Sequence, residues 1–408
     1  MQNVTIVVPT YWDRETGIPR QPGDGAYDHP TPLDTEGTLG RCLESLKSIA
    51  DQTFNVMIIT SATNPALQEA AESKVESILA PFHRAFPVAQ FGFSDLALLR
   101  ERLALLGFDQ QMVGLDNYAN VRNCQLIGPH LLGSETIVAI DDDEIITDPD
   151  YMHKATEYLG EEQNGVRVDG VGGNYLDKNG SDRLLEGHDG RTSTNLFLRK
   201  DAIMNDAHDK LKALPGQLVE TSNAFGGNMV FSRSLFETVS FDPWITRGED
   251  IDYLINSLLH DRYWFWHKEL SIVHLPPGGS KGGSHSPPSY RKLQQDVIRF
   301  IYERIKLSEA ANQPGLTQIK TKDLDPYPGL FLRPGLEHHA MEALTELRPN
   351  DVDARIFPQP DAIVADAVRY AKETTSRYFA FAKQWPRIMA SLAGDQVMCE
   401  HMRRKMGP

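Results

Sequence analysis

The stretch Thr136-Ile137-Val138-Ala139-Ile140-Asp141-Asp142-Asp143-Glu144-Ile145-Ile146 decides how the chain is read. An apolar run rich in β-branched residues, Ile137 to Ile140, stops at four consecutive acids. Apolar runs of this length predict a strand buried on both faces. Four carboxylates at the carboxyl end of such a strand repel one another and cannot all stay ionised without a counter-charge. Their oxygens suit a hard divalent cation such as Mg2+ or Mn2+. The alternative is a solvated acidic turn opening a helix at Asp148 or Pro149.

Toward the N-terminus, Val4 to Val8 predicts a strand ended by Pro9-Thr10-Tyr11-Trp12. Asp13 to Asp34 is rich in Pro, Gly and charge without helical or strand period, and predicts a long loop over the face where strands end. Leu39, Leu43, Leu46 and Ile49 keep helical spacing behind a cap at Asp34 or Thr35. Phe54 to Thr60 is the next strand, and Asn64-Pro65 opens a helix reaching Ala80. Val88 to Phe93 reads as a third strand, Ser94 as the cap of a helix through Leu106, and Asp116 to Leu132 as a helix leading into the acidic strand. This alternation is the signature of an α/β fold with a mostly parallel sheet. Ligands of such sheets bind at the carboxyl ends of strands, where the acids stand.

Beyond Tyr151 the alternation loosens. Val166 to Tyr175, with Gly170, Gly172 and Gly173, predicts a strand closely approached by other backbone. Asp177 to Arg191 reads as loop, Thr192 to Leu198 as a strand and Asp201 to Leu214 as a helix. Asn223 to Ser232 is a Gly-rich turn feeding a strand; Phe241 to Asp250 is a loop before a helix from Ile251 to Leu259. Tyr263 to His267 and Ile272 to Leu275 predict two short strands. Pro276 to Pro288, with Gly278, Gly279, Gly282 and Gly283, predicts a flexible lid. An amphipathic helix follows from Ser289 to Leu307, with Leu293, Val297, Phe300, Ile301 and Ile305 on one side. After an irregular Pro-rich section come helices from Ala362 to Met406. The layout expected is an α/β domain over residues 1–300 and a mainly helical C-terminal extension over 301–408, a cap or homo-oligomer contact.

A formal net charge of −15 excludes a general nucleic-acid binder, which carries a basic face. No apolar run is long enough for a transmembrane helix, and Met1-Gln2-Asn3, passing straight into Val4, sets the expectation of no cleavable leader. Cys42, Cys124 and Cys399 are far apart and odd in number, which fits small buried residues in a reducing cytoplasm.

Five stretches in order carry a resemblance. They are Val4-Thr-Ile-Val-Val-Pro-Thr10, Asn117-Tyr-Ala-Asn-Val-Arg-Asn123, Ile140-Asp-Asp-Asp143, Gly227-Asn-Met-Val-Phe-Ser-Arg233, and Phe241-Asp242 through Gly248-Glu-Asp-Ile-Asp252. Over residues 3 to 275 the chain resembles the nucleotide-sugar-dependent glycosyltransferases of the GT-A fold, family 2 type. The resemblance implies a Rossmann-like sheet, a Mn2+ or Mg2+ cofactor, a UDP- or GDP-sugar donor and a small or soluble hydroxyl acceptor. Asp141 and Asp143 resemble the metal and ribose acids, Asp143 being the direct ligand, and His274 resembles a third metal or phosphate ligand. Pro9, Thr10 and Tyr11 would line the base pocket. Arg122 and Asn123 would border the nucleotide, with Asp142, Gly227 and Asn228 in the same donor-binding set. Asp250 resembles the general base of an inverting enzyme, with Glu249 as second choice. A general base suits a carboxylate whose environment tunes it.

Plainer assignments stand beside these: Arg122 as a surface helix residue, Glu249 and Asp250 as acids favoured at a helix start, His274 as a half-buried strand end. His267, Lys281 and His285 are weaker candidates. Thr60-Ser-Ala-Thr-Asn64 lacks the acid-rich turn of many family members and leaves the base open. The Gln-x-x-Arg-Trp pattern of processive synthases is absent, which favours transfer of a single sugar. A retaining enzyme similar to glucosyl- and mannosyl-glycerate synthases is the main rival. A haloacid dehalogenase-type phosphatase using Asp141 and Asp143 fits less well, because its acids follow the first strand. A nucleotidyltransferase would show a Gly-rich phosphate loop after the first strand, where Thr10-Tyr-Trp-Asp13 stands. A non-catalytic nucleotide or sugar binder would bind without transfer.

Overall fold

The computed structural model describes residues 3–407 apart from 20, 22, 23, 26, 52, 185–191, 225, 278–289 and 350–357. Its strands are β1 (Val4–Asp13), β2 (Thr31–Pro32), β3 (Phe54–Ala62), β4 (Val88–Phe91), β5 (Thr136–Ala139), β6 (Glu144–Ile145), β7 (Glu162–Gln163), β8 (Val166–Leu176), β9 (Leu218–Glu220), β10 (Met229–Ser232) and β11 (Tyr263–His274). Its α-helices are α1 (Leu39–Leu46), α2 (Gln68–Leu79), α3 (Phe93–Leu105), α4 (Tyr118–Leu131), α5 (Tyr151–Thr156), α6 (Lys200–Ala213), α7 (Arg233–Phe236), α8 (Glu249–Leu259), α9 (Tyr290–Ala310), α10 (Leu336–Glu346), α11 (Pro360–Ala393) and α12 (Gln396–Met406).

The sheet follows the order β4-β3-β1-β5-β10-β8-β11-β6. β4, β3, β1 and β5 run parallel, β10 is antiparallel to both β5 and β8, and β11 is parallel to β8. The fold is therefore α/β with a mostly parallel sheet. Strand alternation feeds two cores. Val7, Met57, Ile59, Ile137 and Ala139 point to the face covered by α3, α4, α11 and α12. Ile6, Val8, Val56, Ile58, Val138 and Ile140 point to the face covered by α1, α2 and α5.

β1 runs past Pro9 to Asp13, further than expected. Val7 opposite Ala139 is its last pair with β5, so the missing amide hydrogen of Pro9 is not needed on that side. Helix starts also differ from expectation. Thr38 stands at the N-cap position of α1 without a side-chain cap bond, and Asp34 accepts from the Thr16 amide at 2.8 Å. Gly92 precedes α3 and donates to Asp95 Oδ2 at 2.8 Å, while the Ser94 hydroxyl donates to Glu72 Oε1.

Thr192 to Leu198 is not a strand: it turns into α6, because Asn195 Oδ1 accepts from the Phe197 amide at 3.0 Å and its Nδ2 donates to His339 O at 2.8 Å. The two strands expected near Tyr263 and Ile272 are one, β11, with a register shift between Trp266 and Ser271. α10 occupies part of the section read as irregular. Of the expected lid, residues 278–288, including Lys281 and His285, lie outside the described residues.

The C-terminal helices share the main core, which includes Trp385, Met389, Leu392, Met398 and Met402. Trp385 Nε1 donates to Phe236 O at 2.8 Å, and His130 Nε2 lies 2.7 Å from Met389 O. Asp95 meets His401 at 2.7 Å and Lys405 at 2.6 Å. Residue 300, the expected domain limit, falls inside α9.

Candidate functional site

Strand alternation sorts the acids at the end of β5. Asp141 continues the odd-numbered face and meets α4: its Oδ1 lies 3.0 Å from Arg122 Nη2. Asp142 continues the even-numbered face, where the Thr10 hydroxyl donates to its Oδ2 at 2.7 Å. Burial, reinforced by the Asp143 charge, pushes the Asp142 carboxyl up to about 8. Asp143 sits in the turn, 8% exposed, with Oδ2 3.1 Å from His274 Nε2. The β6–β11 ladder makes that meeting, since His274 pairs with Glu144 and the Leu275 amide donates to Asp143 O at 2.8 Å. The His274 ring rests 4.6 Å from that of Tyr175. Glu144 is fully buried; one of its oxygens accepts from the Asp141 amide at 2.8 Å and the other has no partner. Burial drives its carboxyl well above the usual range, with the charges of Asp141 and Asp143 adding to the effect.

Arg122 joins two distant stretches. It is 5% exposed, and besides Asp141 its Nε lies 3.4 Å from Glu249 Oε1. Every residue of α4 from Ala119 to Leu131 is buried, and Arg122 is the only fixed charge among them, so its guanidinium has to be paired inside the fold. Burial raises the Glu249 carboxyl and the Asp250 charge adds to the rise, while Arg122 draws it back.

α8 starts after Gly248, whose φ of 67° lies in the left-handed region. A Cβ there would sit 2.0 Å from Arg299 Cζ, so the arginine packs directly beneath the helix start. Three acids occupy the first turn of α8. Glu249 faces Arg122, and Asp252 is buried against Lys306, which also meets Asp242 at 2.9 Å. Asp250 differs from both: its oxygens accept the Gly226 amide at 3.1 Å and the Ile251 amide at 2.8 Å, and it is half-buried. Gly227 lies over Glu144, where a Cβ would come within 1.7 Å of Oε1; only glycine allows that approach.

Pro9 and Tyr11 are buried in β1. The Tyr11 ring packs 4.3 Å from Tyr27 and 5.2 Å from Tyr118, and its hydroxyl is buried without a partner. Burial pushes the Tyr11 phenol well up. Asn123 and Asn228, expected to border the donor, are both fully buried. Asn123 clamps α4 to the Phe241 backbone, accepting from its amide at 2.9 Å and donating to its carbonyl at 3.1 Å. Asn228 donates to Asn174 O at 3.0 Å and accepts from the Tyr151 hydroxyl at 2.8 Å. Both amides are engaged within the scaffold. His267 is fully buried beside Glu157 and Gln217, a strand-stabilising position apart from the acids.

Among the described residues no three His, Cys, Asp or Glu side chains form a ready-made cation cluster. Asp143 and His274 adjoin, whereas Asp141 turns to Arg122. This pair fits a Mg2+ or Mn2+ ion of the kind held by one or two protein ligands, with waters and substrate phosphates in its other positions. Sequence reasoning missed Glu144 as a buried support, Tyr27 and Tyr118 as partners of Tyr11, and Arg299 and Lys306 beneath α8. The unbroken burial of α4 had a visible signal, apolar residues on every side of the helix.

No family model matches the chain, and no curated protein matches it. Among solved structures it is similar to mannosyltransferase PcManGT from Pyrobaculum calidifontis in complex with GDP-Man and Mn2+, at 12% identity and a TM-score of 0.39 over 98% of this chain and 86% of that one. It is also similar to GalNAc-T7 with UDP, GalNAc and Mn2+, at 10% identity and a TM-score of 0.41 over 88% of this chain and 58% of that one. A third is glucosyl-3-phosphoglycerate synthase from Mycobacterium tuberculosis with Mn2+ and UDP-glucose, at 14% identity and a TM-score of 0.38 over 78% of this chain and 85% of that one. At these values the chemistry of the site rests on its own residues. No described helix is long and apolar enough to cross a membrane.

Proposed function

We propose that the chain is a metal-dependent glycosyltransferase that moves one sugar from a UDP- or GDP-sugar to a hydroxyl acceptor with inversion. One observation supports this above the others. Residues from six separated stretches are brought into polar contacts at one end of the sheet: Thr10–Asp142, Asp141–Arg122–Glu249, Asp143–His274 and Gly226–Asp250.

Asp143 and His274 would hold the cation, which supplies Lewis-acid neutralisation of the departing diphosphate. The chain's own groups do the remainder. Arg122 holds Asp141 and Glu249 and so fixes the acidic strand end against the start of α8. Tyr11, with Tyr27 and Tyr118 behind it, offers an aromatic wall for the base. Asp250 takes the acceptor proton. It is the acid of the α8 first turn that no described side-chain cation pairs with, and two backbone amides orient its carboxylate. Such preorganisation favours a group whose work is done in the transition state.

The test is a thermal-shift screen of UDP, GDP and their sugars with and without Mn2+, because a ligand bound to the native state raises apparent stability. A Mn2+-dependent shift with a nucleotide sugar, lost in Asp143→Ala, is expected. A shift that survives in Asp143→Ala would remove the acidic strand end from the donor site. With a responding donor, NMR of the product anomer separates inversion from retention.

A further inference from the structure

A cleft of ≈ 530 Å³ lies between α6, the segment from Glu220 to Asn223 and the stretch from Thr317 to Tyr327. None of the acids at the end of β5 lines it. Its volume is in the range of small-molecule sites. We infer that this cleft is a second site, for a neutral carbohydrate, and that it is coupled to Asp250; the coupling rests on the glycosyltransferase function proposed above.

Three features of the lining select the ligand. Leu211, Leu214 and Ile319 give an apolar side suited to the C–H face of a sugar ring. Leu214 is 47% exposed, so it can be reached by a ligand. Ser222 and Gln318 place a hydroxyl and an amide on the same walls, while the Thr221 hydroxyl is held by Asn223. Asn223 behind them has an amide oxygen buried with no partner, so the wall is short of a hydrogen-bond donor at that point. The charged lining residues are Glu220, Asp323 and Asp325 against Lys210; with Asp325 paired to Arg333 the acids still outnumber the cation, a balance that disfavours phosphorylated or carboxylated ligands.

Two routes connect the cleft to the start of α8. Tyr327 lines the cleft, and its hydroxyl accepts from Arg299 Nη2 at 3.2 Å, the arginine packed beneath Gly248. The wall at Asn223 leads within three residues to Gly226, whose amide holds Asp250 Oδ2. A ligand in the cleft therefore bears on one of the two amides that hold Asp250, that of Gly226, and on the arginine beneath the start of α8. The sugar is either a remote unit of the acceptor or a free sugar acting as an effector, and both have the same recognition chemistry.

The test titrates the full chain with neutral α- and β-linked gluco-, manno- and galacto-oligosaccharides and with oligogalacturonate, by calorimetry. At least one neutral oligosaccharide is expected to bind, and oligogalacturonate is not. Leu214→Asp, at an exposed position, should weaken neutral binding about tenfold or more, the effect of losing one apolar contact and adding a charge. Its circular dichroism and its Mn2+-dependent nucleotide binding should match wild type. Elongation of the bound sugar identifies an acceptor, whereas a changed rate of donor hydrolysis without elongation identifies an effector. No binding across the neutral panel, tighter binding of oligogalacturonate, binding indifferent to Leu214→Asp, or a bound sugar that is neither elongated nor alters donor hydrolysis would overturn the inference. Failure of nucleotide binding in wild type would instead remove the donor-site assignment and leave calorimetric binding in the cleft intact.

Discussion

Replacing Arg122 by methionine removes a guanidinium and leaves a side chain of comparable length in an almost solvent-free position. Two carboxylates lose their partner, Asp141 at 3.0 Å and Glu249 at 3.4 Å. Removing one member of a buried ion pair costs about 3–5 kcal/mol, against roughly 0–1 kcal/mol for a surface pair. The loss should depend on pH through both Asp141 and Glu249. Burial already raises the folded carboxyl of each above its ordinary value, and Arg122 is the partner drawing it down. Without Arg122 the native state keeps each proton over a wider range in which the unfolded chain has released it. Stability of the variant therefore falls as pH climbs through the folded pKa and is recovered toward the unfolded value. Urea denaturation followed by circular dichroism, at about pH 5 and about pH 8, measures both effects. The destabilisation relative to wild type should be several kcal/mol at the higher pH and smaller at the lower. A loss below about 1 kcal/mol at the higher pH would show that the Arg122 pairs are not buried in the sense described. An equal loss at both pH values would refute the role given to the two carboxylates on Arg122.

Asp250→Asn should lose most turnover while keeping donor affinity, since a base acts mainly in the transition state; parallel loss of donor binding in calorimetry would mark it as scaffold. Glu303, buried beside Arg299, has its carboxyl pushed by burial to about 7. Its folded pKa lies above the ordinary 4.5, so wild-type stability from this group declines as pH rises from about 4.5 to about 7, and Glu303→Gln should give a shallower slope of unfolding free energy over that window. Unchanged slopes would count against that burial. Lys306→Met removes the cation shared by Asp242 and Asp252 and should destabilise by about 3–5 kcal/mol, whereas Lys47→Met, at an exposed pair with Glu44, should stay within roughly 1 kcal/mol in the same denaturation assay.

What was legible in the sequence was what periodicity carries. Val4 to Val8, Phe54 to Thr60 and Ile137 to Ile140 became the central parallel strands because residues facing either way are apolar. The amphipathic run from Leu293 to Ile305 became α9 for the same kind of reason. The acids of the site could be named because strand ends collect them, but their division between two faces needed the register of β1 and β5. Partner choice was not legible. An asparagine beside a site looks the same whether it meets ligand or backbone, and Asn123 and Asn228 both meet the scaffold. Tyr27 lay in an aperiodic loop, and only the folded loop brings it onto Tyr11. Thr192 to Leu198 ends in the apolar run Leu196-Phe197-Leu198 that suggests a strand, yet the local hydrogen bonds of Asn195 turn it.

The core that buries α4 holds residues from Val7 to Met406, and Asp95 near the sheet is tied by His401 and Lys405. During synthesis the first half of the chain emerges with α4 still uncovered on the side that α11 and α12 will occupy. Chains that grow from the N-terminus fold most readily in units whose partners have already been made. The helix that carries Arg122 lacks that advantage. Its apolar back waits for some 270 further residues, from Leu131 to Met406, before it is sheltered. Nascent chains arrested before α11 should therefore be bound by chaperones and cut readily near α4, and the donor site should be assembled among the last parts of the molecule.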